Sequence, residues 1–284
     1  MYMNKWLIDM DLFKHNKTCF YDLMHVLNKR NIPYSIISAD STFQYIGYEY
    51  GTDFVILCDI DKIKIKFPNL RFDCFRPSNY TRNINDVEFY ANTDFITLPL
   101  WQIKNKENAL FNMFNEEGIR SIRQITVSDD NGFKRFSPTI INQCGRLSLY
   151  DKIVGFSTHH KLTDNDFVNI SSNAHKSRHI HKVWMYDGKV ITSASTYYSD
   201  PPNPIIESDD VLSWIHNFVA KSHIRDYVIN NYVLYLDVND DGCSVVDIEP
   251  ITTTPIGGRE FDVERFVDVL YNATLCYEYS PFRD

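Results

Sequence analysis

The sequence predicts mixed α and β structure: a small α/β unit over residues 1–95, then an α+β domain over 96–284 in two subdomains of about 96–170 and 171–284. Three observations carry this. Near the N-terminus short apolar runs flank an amphipathic helix pattern, the order expected of strands carried over by a helix into a parallel sheet. Asp187-Gly188 and Asn239-Asp240-Asp241-Gly242 each sit between β-rich runs and read as hairpin turns. Residues 208–219 and 262–272 repeat apolar side chains at helical spacing and supply helices late in the chain.

In order, residues 5–10 are a strand candidate. Over 20–30, Phe20, Leu23, Met24 and Leu27 fall at i, i+3, i+4 and i+7, one helical face. Pro33 ends that region, and 34–38 (Y-S-I-I-S) is the next strand. Residues 54–58 (F-V-I-L-C) form a third, apolar enough for burial on both faces. Residues 62–92 mix charges with aromatics in neither period. An apolar run over 94–101 is broken by Pro99 and leads into the second domain. A helix follows over 107–117, with Leu110, Phe111 and Phe114 on its apolar side and Gly118 as its stop. Residues 120–128 are a strand with mixed faces, turned at Asp129-Asp130-Asn131-Gly132 into 133–138. Residues 167–172 (F-V-N-I-S-S) are a strand running into a polar connector. After a proline loop at Pro201, Pro202 and Pro204, a helix opens at Ser208-Asp209-Asp210, where acids suit the helix dipole. The acidic hairpin, a polar loop over 252–258 and a closing helix over 262–272 complete the chain.

At 44% hydrophobic and 14% aromatic residues, the chain can bury a core and is not disordered. A net charge of −8 argues against a protein that coats nucleic acid. Six cysteines, without C-x-x-C spacing, read as reduced core residues. Acids near the N-terminus and the lack of any apolar run near the ~18 residues of a membrane span predict a soluble, cytoplasmic protein without a membrane partner (host cytoplasm if phage-encoded).

The unusual content is acidic. Asp247 and Glu249 lie two apart on one predicted strand and share a face. Asp237, on the partner strand, joins them if the turn is a three-residue loop closed by a bulge at Gly242. A plain two-residue turn sends it to the other face. Three gathered carboxylates repel unless a cation neutralises them, and hard oxygens select Mg²⁺ or Mn²⁺. The same pattern also fits an edge strand with solvated acids.

Taken in order, several segments resemble the ATP-grasp superfamily, particularly its compact phage and bacterial members. The F-[IV]-R-P strand of that family is matched by Phe133-Lys134-Arg135-Phe136-Ser137-Pro138. Its E-x-R-x-[WF] strand, with the following glycine, is matched from Ile180 through Lys182, Trp184 and Gly188 to Val190, with Ser193 and Ser195 after it. Its D-[VI] strand appears as Asp237-Val238, and its E-[IV]-N-P strand as Asp247-Ile248-Glu249-Pro250. The resemblance covers about 95–284, and the first ~95 residues look like the α/β domain that precedes such modules.

The resemblance implies two α+β subdomains gripping ATP and a ligase that joins a carboxylate to an amine through an acyl phosphate. The substrates would be small molecules or peptides. Arg135 and Lys182 would be the catalytic cations at the phosphates, with Lys134 and Lys152 adding charge. Val168, Asn169 and Ile170 would lie against adenine. Asp237, Asp247 and Glu249 would hold Mg²⁺ or Mn²⁺. Thr252, Thr253, Thr254, His179 and His181 would meet the substrate. The chain departs from the family pattern: Lys182 stands for Arg, Ile180 for Glu, and Asp247 and Glu249 for Glu and Asn. The family's lysine after the F-[IV]-R-P strand has only Lys152 as a counterpart. These departures support a second expectation, a non-catalytic nucleotide-binding or protein-interaction module on the same fold. His179-x-His181 could alternatively chelate zinc, though no neighbouring cysteine completes such a set.

Overall fold

Three parallel strands open the chain, β1 (Lys5–Asp9), β2 (Tyr34–Ile37) and β3 (Phe54–Leu57), in the order β2-β1-β3. The computed structural model describes residues 5–37, 54–58, 70–71, 88–90, 95–114, 119–123, 139–142, 148, 150–151, 154, 164–165, 167–172, 180–195, 208–222, 224, 231–239, 242–251, 254–271 and 277–278. The other elements, in chain order, are α1 (Lys17–Lys29), β4 (Leu70–Arg71), β5 (Phe95–Pro99), α2 (Leu100–Phe114), β6 (Ile119–Arg123), β7 (Thr139–Asn142) and β8 (Phe167–Ser172). Then come β9 (Ile180–Tyr186), β10 (Lys189–Ser195), α3 (Asp209–Lys221), β11 (Asn231–Asn239), β12 (Gly242–Pro250), α4 (Val263–Leu270) and β13 (Tyr277–Glu278). They fall into two compact units, Met1–Phe75 with His179–Lys221 and Val228–Asp284, and Arg76–Arg178 with Ser222–Tyr227.

The first unit holds the parallel sheet, the small β13-β4 pair and an antiparallel sheet ordered β10-β9-β11-β12. Asp187 and Gly188, both at positive φ (48° and 72°), turn β9 into β10 as the hairpin signal predicts. Helix α1 begins three residues before its apolar spacing does, because the Asn16 side chain caps it by accepting from Cys19 N at 3.1 Å. Asp262 caps α4 in the same way, accepting from Arg265 N. One core joins Trp6 and Ile8 of β1, Leu23 and Leu27 of α1, Trp184, Ile191 and Val233 of the antiparallel sheet, and Phe266, Val267 and Leu270 of α4. Each such large apolar side chain, fully buried, contributes about 1.5–3 kcal/mol. Because the two sheets share this core, the N-terminal strands group with the C-terminal sheet in one unit.

The second unit is an antiparallel sheet ordered β5-β8-β6-β7 with helix α2. Helix α2 starts directly after Pro99 rather than at 107, with a kink at Lys106 (φ −124°, ψ 18°). Buried Leu100 and Ile103 hold its first half in place, and the kink divides it from the half whose periodicity the sequence displays. The predicted turn at 129–132 and strand at 133–138 lie outside the described residues. Beyond them β7 pairs back on β6, Ile119 opposite Asn142.

Candidate active site

The acidic hairpin builds the site. Next to its turn the pairs are Asn239 with Gly242, Val238 with Cys243 and Asp237 with Ser244, the register of a plain two-residue connection. Of the two alternatives for the turn, the register is therefore not the one closed by a bulge at Gly242. The bulge lies deeper: Leu236 pairs with Val245 but Tyr235 with Asp247, so Val246 is the extra residue. Past it, Val233 pairs with Glu249. The bulge offsets the turn by one residue, and positions 233, 235, 237, 247 and 249 belong to a single face.

On the other side of β11, Tyr235 pairs with Lys182 of β9. One cross-strand row thus reads Lys182, Tyr235, position 247. The Tyr235 hydroxyl donates to Glu249 Oε2 at 2.8 Å, and Thr254 Oγ1 donates to the same oxygen at 3.1 Å. The Lys182 ammonium lies 5.6 Å from the centroid of the Tyr235 ring and donates to Pro255 O at 3.3 Å. Burial lowers the Lys182 pKa, and the charge of Glu249 acts against that. Among the described strands β12 lies at the edge of its sheet; Asp237 of β11 is buried and Glu249 of β12 half-buried.

The loop after Glu249 is fixed at both ends. Ile256 N donates to Leu12 O at 2.8 Å, Arg259 bridges to Ser195, and Asp262 N donates to Thr192 Oγ1 at 2.9 Å. Gly258 has φ +144°, and a Cβ there would stand 2.7 Å from Ala194 Cβ, so only glycine passes. This loop, Lys182, Ser195 and the first turns of α1 line a half-open cavity of about 980 Å³. His15 and the cap Asn16, just before α1, and Thr18, Cys19 and Asp22 of its first turns line it, residues the sequence reading missed. Asn16 was their available signal, a cap residue that opens a helix on a polar turn. Cys19 is no nucleophile: burial first, then the charge of Asp22, push its thiol up to about 12.

Arg135, Lys134, Lys152, His179, Thr252 and Thr253 lie outside the described residues, as does the side chain of Asp247. His181 is buried on the sheet face opposite to Lys182, across from Leu236. Val168, Asn169 and Ile170 lie in β8, where Asn169 and Ile170 pair with both β5 and β6. Among the described residues, no three His, Cys, Asp or Glu side chains gather as a metal cluster. No described helix is long and apolar enough to cross a membrane.

No protein-family model matches the chain, and no curated protein matches its sequence significantly. Solved structures do match. D-cycloserine synthetase DcsG superposes with a TM-score of 0.53 at 12% identity, over 94% of this chain and 98% of that one. The chain has the ATP-grasp fold. An ATP-grasp RimK-domain protein of Sphaerobacter thermophilus (TM-score 0.48, 7% identity, 88% and 91% covered) is similar too. So is D-alanyl-alanine synthetase A of Vibrio cholerae (TM-score 0.48, 12% identity, 97% and 99% covered). At such identities the likeness is one of fold, and the chemistry of this ATP-grasp chain has to be argued from its own residues.

Proposed function

We propose that the protein is an ATP- and Mg²⁺-dependent ligase that joins a carboxylate to an amine through an acyl phosphate, with a peptide or protein among its substrates. The observation that carries this reading is the single sheet face bearing Lys182, Asp237, position 247 and Glu249. A cation for phosphate and hard oxygens for a divalent ion stand on one surface, beside a cavity that Lys182 helps to line. The carboxylate set suits Mg²⁺ or Mn²⁺ rather than zinc, and Asp237, Asp247 and Glu249 would hold it. When bound, such an ion neutralises phosphate charge.

In this reading the Lys182 ammonium binds phosphate oxygens, and Arg135, Lys134 and Lys152 keep the phosphate role that the motif order gives them. An oxygen of the substrate carboxylate attacks the γ-phosphorus, the bond to the β-phosphate oxygen breaks and ADP leaves. The amine then attacks the acyl carbon, phosphate departs with the bonding electrons, and the amine loses a proton. The α1–loop cavity would take the acceptor. Its walls carry both signs, Asp22 against Lys182 and Arg259, which suits a molecule bearing an ammonium and a carboxylate. Its volume of about 980 Å³ exceeds the need of one amino acid and supports a peptide end.

Calorimetric titration of ATP with and without Mg²⁺ tests the reading, followed by assay of ADP release with mixed amine and carboxylate substrates. Metal-tightened binding and substrate-dependent ADP are expected. Equal affinity with and without metal, and no ADP, would leave the non-catalytic nucleotide-binding or protein-interaction module. The internal use of Lys182 by Pro255 O and of Glu249 by two hydroxyls is the observation on its side.

A further inference from the structure

We propose that Asn16 is a substrate-binding residue that sets specificity: its side-chain amide, oriented by the cap of α1, donates to a carboxylate oxygen of the molecule held in the α1–loop cavity. That this molecule is then joined to another rests on the ligase reading; the contact itself does not. Asn16 Oδ1 accepts from Cys19 N at 3.1 Å. A backbone N–H can only donate, so the cap settles which atom of the amide is the oxygen. The NH2 then stands on the other side of the group, over Gly257. A Cβ built on that glycine would come 2.9 Å from Asn16 Nδ2 and 3.1 Å from Asn16 Cβ. Gly257 also has φ +98°, where a side chain is strained, so the residue at this position leaves the NH2 room. Asn16 and Gly257 both line the cavity. Asn16 N donates to Phe13 O, and among the described residues nothing accepts from Nδ2. An NH2 group donates and cannot accept, so it suits an oxygen and offers nothing to an ammonium. Lys182, a half-buried cation of the same lining, donates to Pro255 O at 3.3 Å, two residues before Gly257. Two Cα steps span at most about 7.6 Å, so both donors belong to one short stretch of the loop. A positive charge beside a neutral donor favours a carboxylate over an uncharged carbonyl. Asp22, the acid of the lining, lies six residues along the chain from Asn16, about 9 Å along the helix axis, and is left for an ammonium.

Two peptide probes test the contact on the full chain without nucleotide: N-acetylglycylglycine, with a carboxylate and no ammonium, and glycylglycinamide, with the reverse. Asn16→Ser and Asn16→Asp keep the cap, since either side chain accepts from Cys19 N about as well as asparagine, and urea unfolding should show both as stable as the natural chain. The natural chain should bind N-acetylglycylglycine, and the Asn16 NH2 signal in ¹⁵N–¹H spectra, identified by its loss in Asn16→Ser, should shift on addition. Calorimetry should find that probe about tenfold weaker in Asn16→Ser and weaker still in Asn16→Asp, where carboxylate meets carboxylate. Glycylglycinamide should leave the Asn16 signal in place, bind Asn16→Ser as it binds the natural chain, and bind Asn16→Asp more tightly. A residue that only capped the helix would change neither affinity in these variants. No binding of N-acetylglycylglycine by the natural chain, equal affinity for it in both variants, or an Asn16 signal that stays still while the backbone signals of Thr18 and Gly257 move overturns the proposal. Should a variant not fold, the signal of the natural chain still decides. Carboxylate binding without any ADP release from ATP would remove the ligase reading and keep the contact, whereas ADP release with the carboxylate probe bound equally in all three chains would do the opposite.

Discussion

Asp237 and Glu249 share one face of the acidic hairpin although a plain two-residue turn joins their strands, because Val246 is bulged out of the pairing. Bulges next to functional sites re-aim side chains. Here the bulge puts three carboxylate positions and Lys182 on one surface.

Cross-linking checks that register. In a Cys243→Ser background, the pair Asp237→Cys with Ser244→Cys should close a disulfide on mild oxidation, since these positions face each other. Asp237→Cys with Val245→Cys should not. Mass mapping that finds the second pair linked and the first open would place the bulge at the turn instead.

Burial holds the Lys182 ammonium below the ordinary lysine value, and Glu249 acts against that shift. Between the folded and unfolded pKa values the unfolded chain therefore binds more protons, so stability rises as pH climbs through that window. Glu249→Gln removes the opposing influence and should move the Lys182 titration to lower pH, extending the window downward. The ¹³Cε shift of Lys182 against pH is the measurement; an upward move would contradict the geometry. In Lys182→Arg, the residue the family carries, ATP affinity should lose its alkaline fall, because a guanidinium stays charged.

Gly258→Ala should destabilise the protein by about 2 kcal/mol or more, combining the strain of a positive φ with a clash. The added Cβ would meet Ala194 Cβ at 2.7 Å, and that neighbour belongs to a β-strand core position. Urea unfolding gives the number. The same variant should loosen the cavity wall, so any acceptor binding there should weaken with it.

The two helix caps offer a paired test. Asn16→Ala and Asp262→Ala should each lower stability by about 1 kcal/mol, the usual loss of a side-chain cap. Only Asn16 also lines the cavity, so only Asn16→Ala should change ligand affinity as well.

Cys19 lines the cavity yet should resist alkylation in the folded protein. With its thiol pushed up to about 12, only roughly one molecule in ten thousand is thiolate at pH 8. Iodoacetamide labelling followed by peptide mapping should find Cys19 modified only when the protein is unfolded first. Rapid labelling of the native chain would show that the first turn of α1 is open to solvent.

The sequence by itself determined the elements whose physics is local. The 3.6-residue spacing in 208–219 and 262–272 marks α3 and α4, since an amphipathic stripe is written into residue order. Asp187-Gly188 marks the β9–β10 turn because its backbone must reach positive φ at both residues. The motif order pointed to the ATP-grasp fold that the chain adopts. Tertiary structure alone decided the rest. The first half of α2 carries no clear period before its kink and is held by the burial of Leu100 and Ile103. The sum of paired numbers at a turn cannot reveal a bulge at Val246, several residues away, which depends on how β12 packs along β11. Nor could spacing bring Asn16 and Asp22 to the loop that follows Glu249. That meeting is made by Ile256 N on Leu12 O and by the core that α1 shares with α4, contacts between residues more than two hundred apart in sequence. Local periodicity fixes which backbone a segment adopts; long-range packing fixes which side chains then face one another.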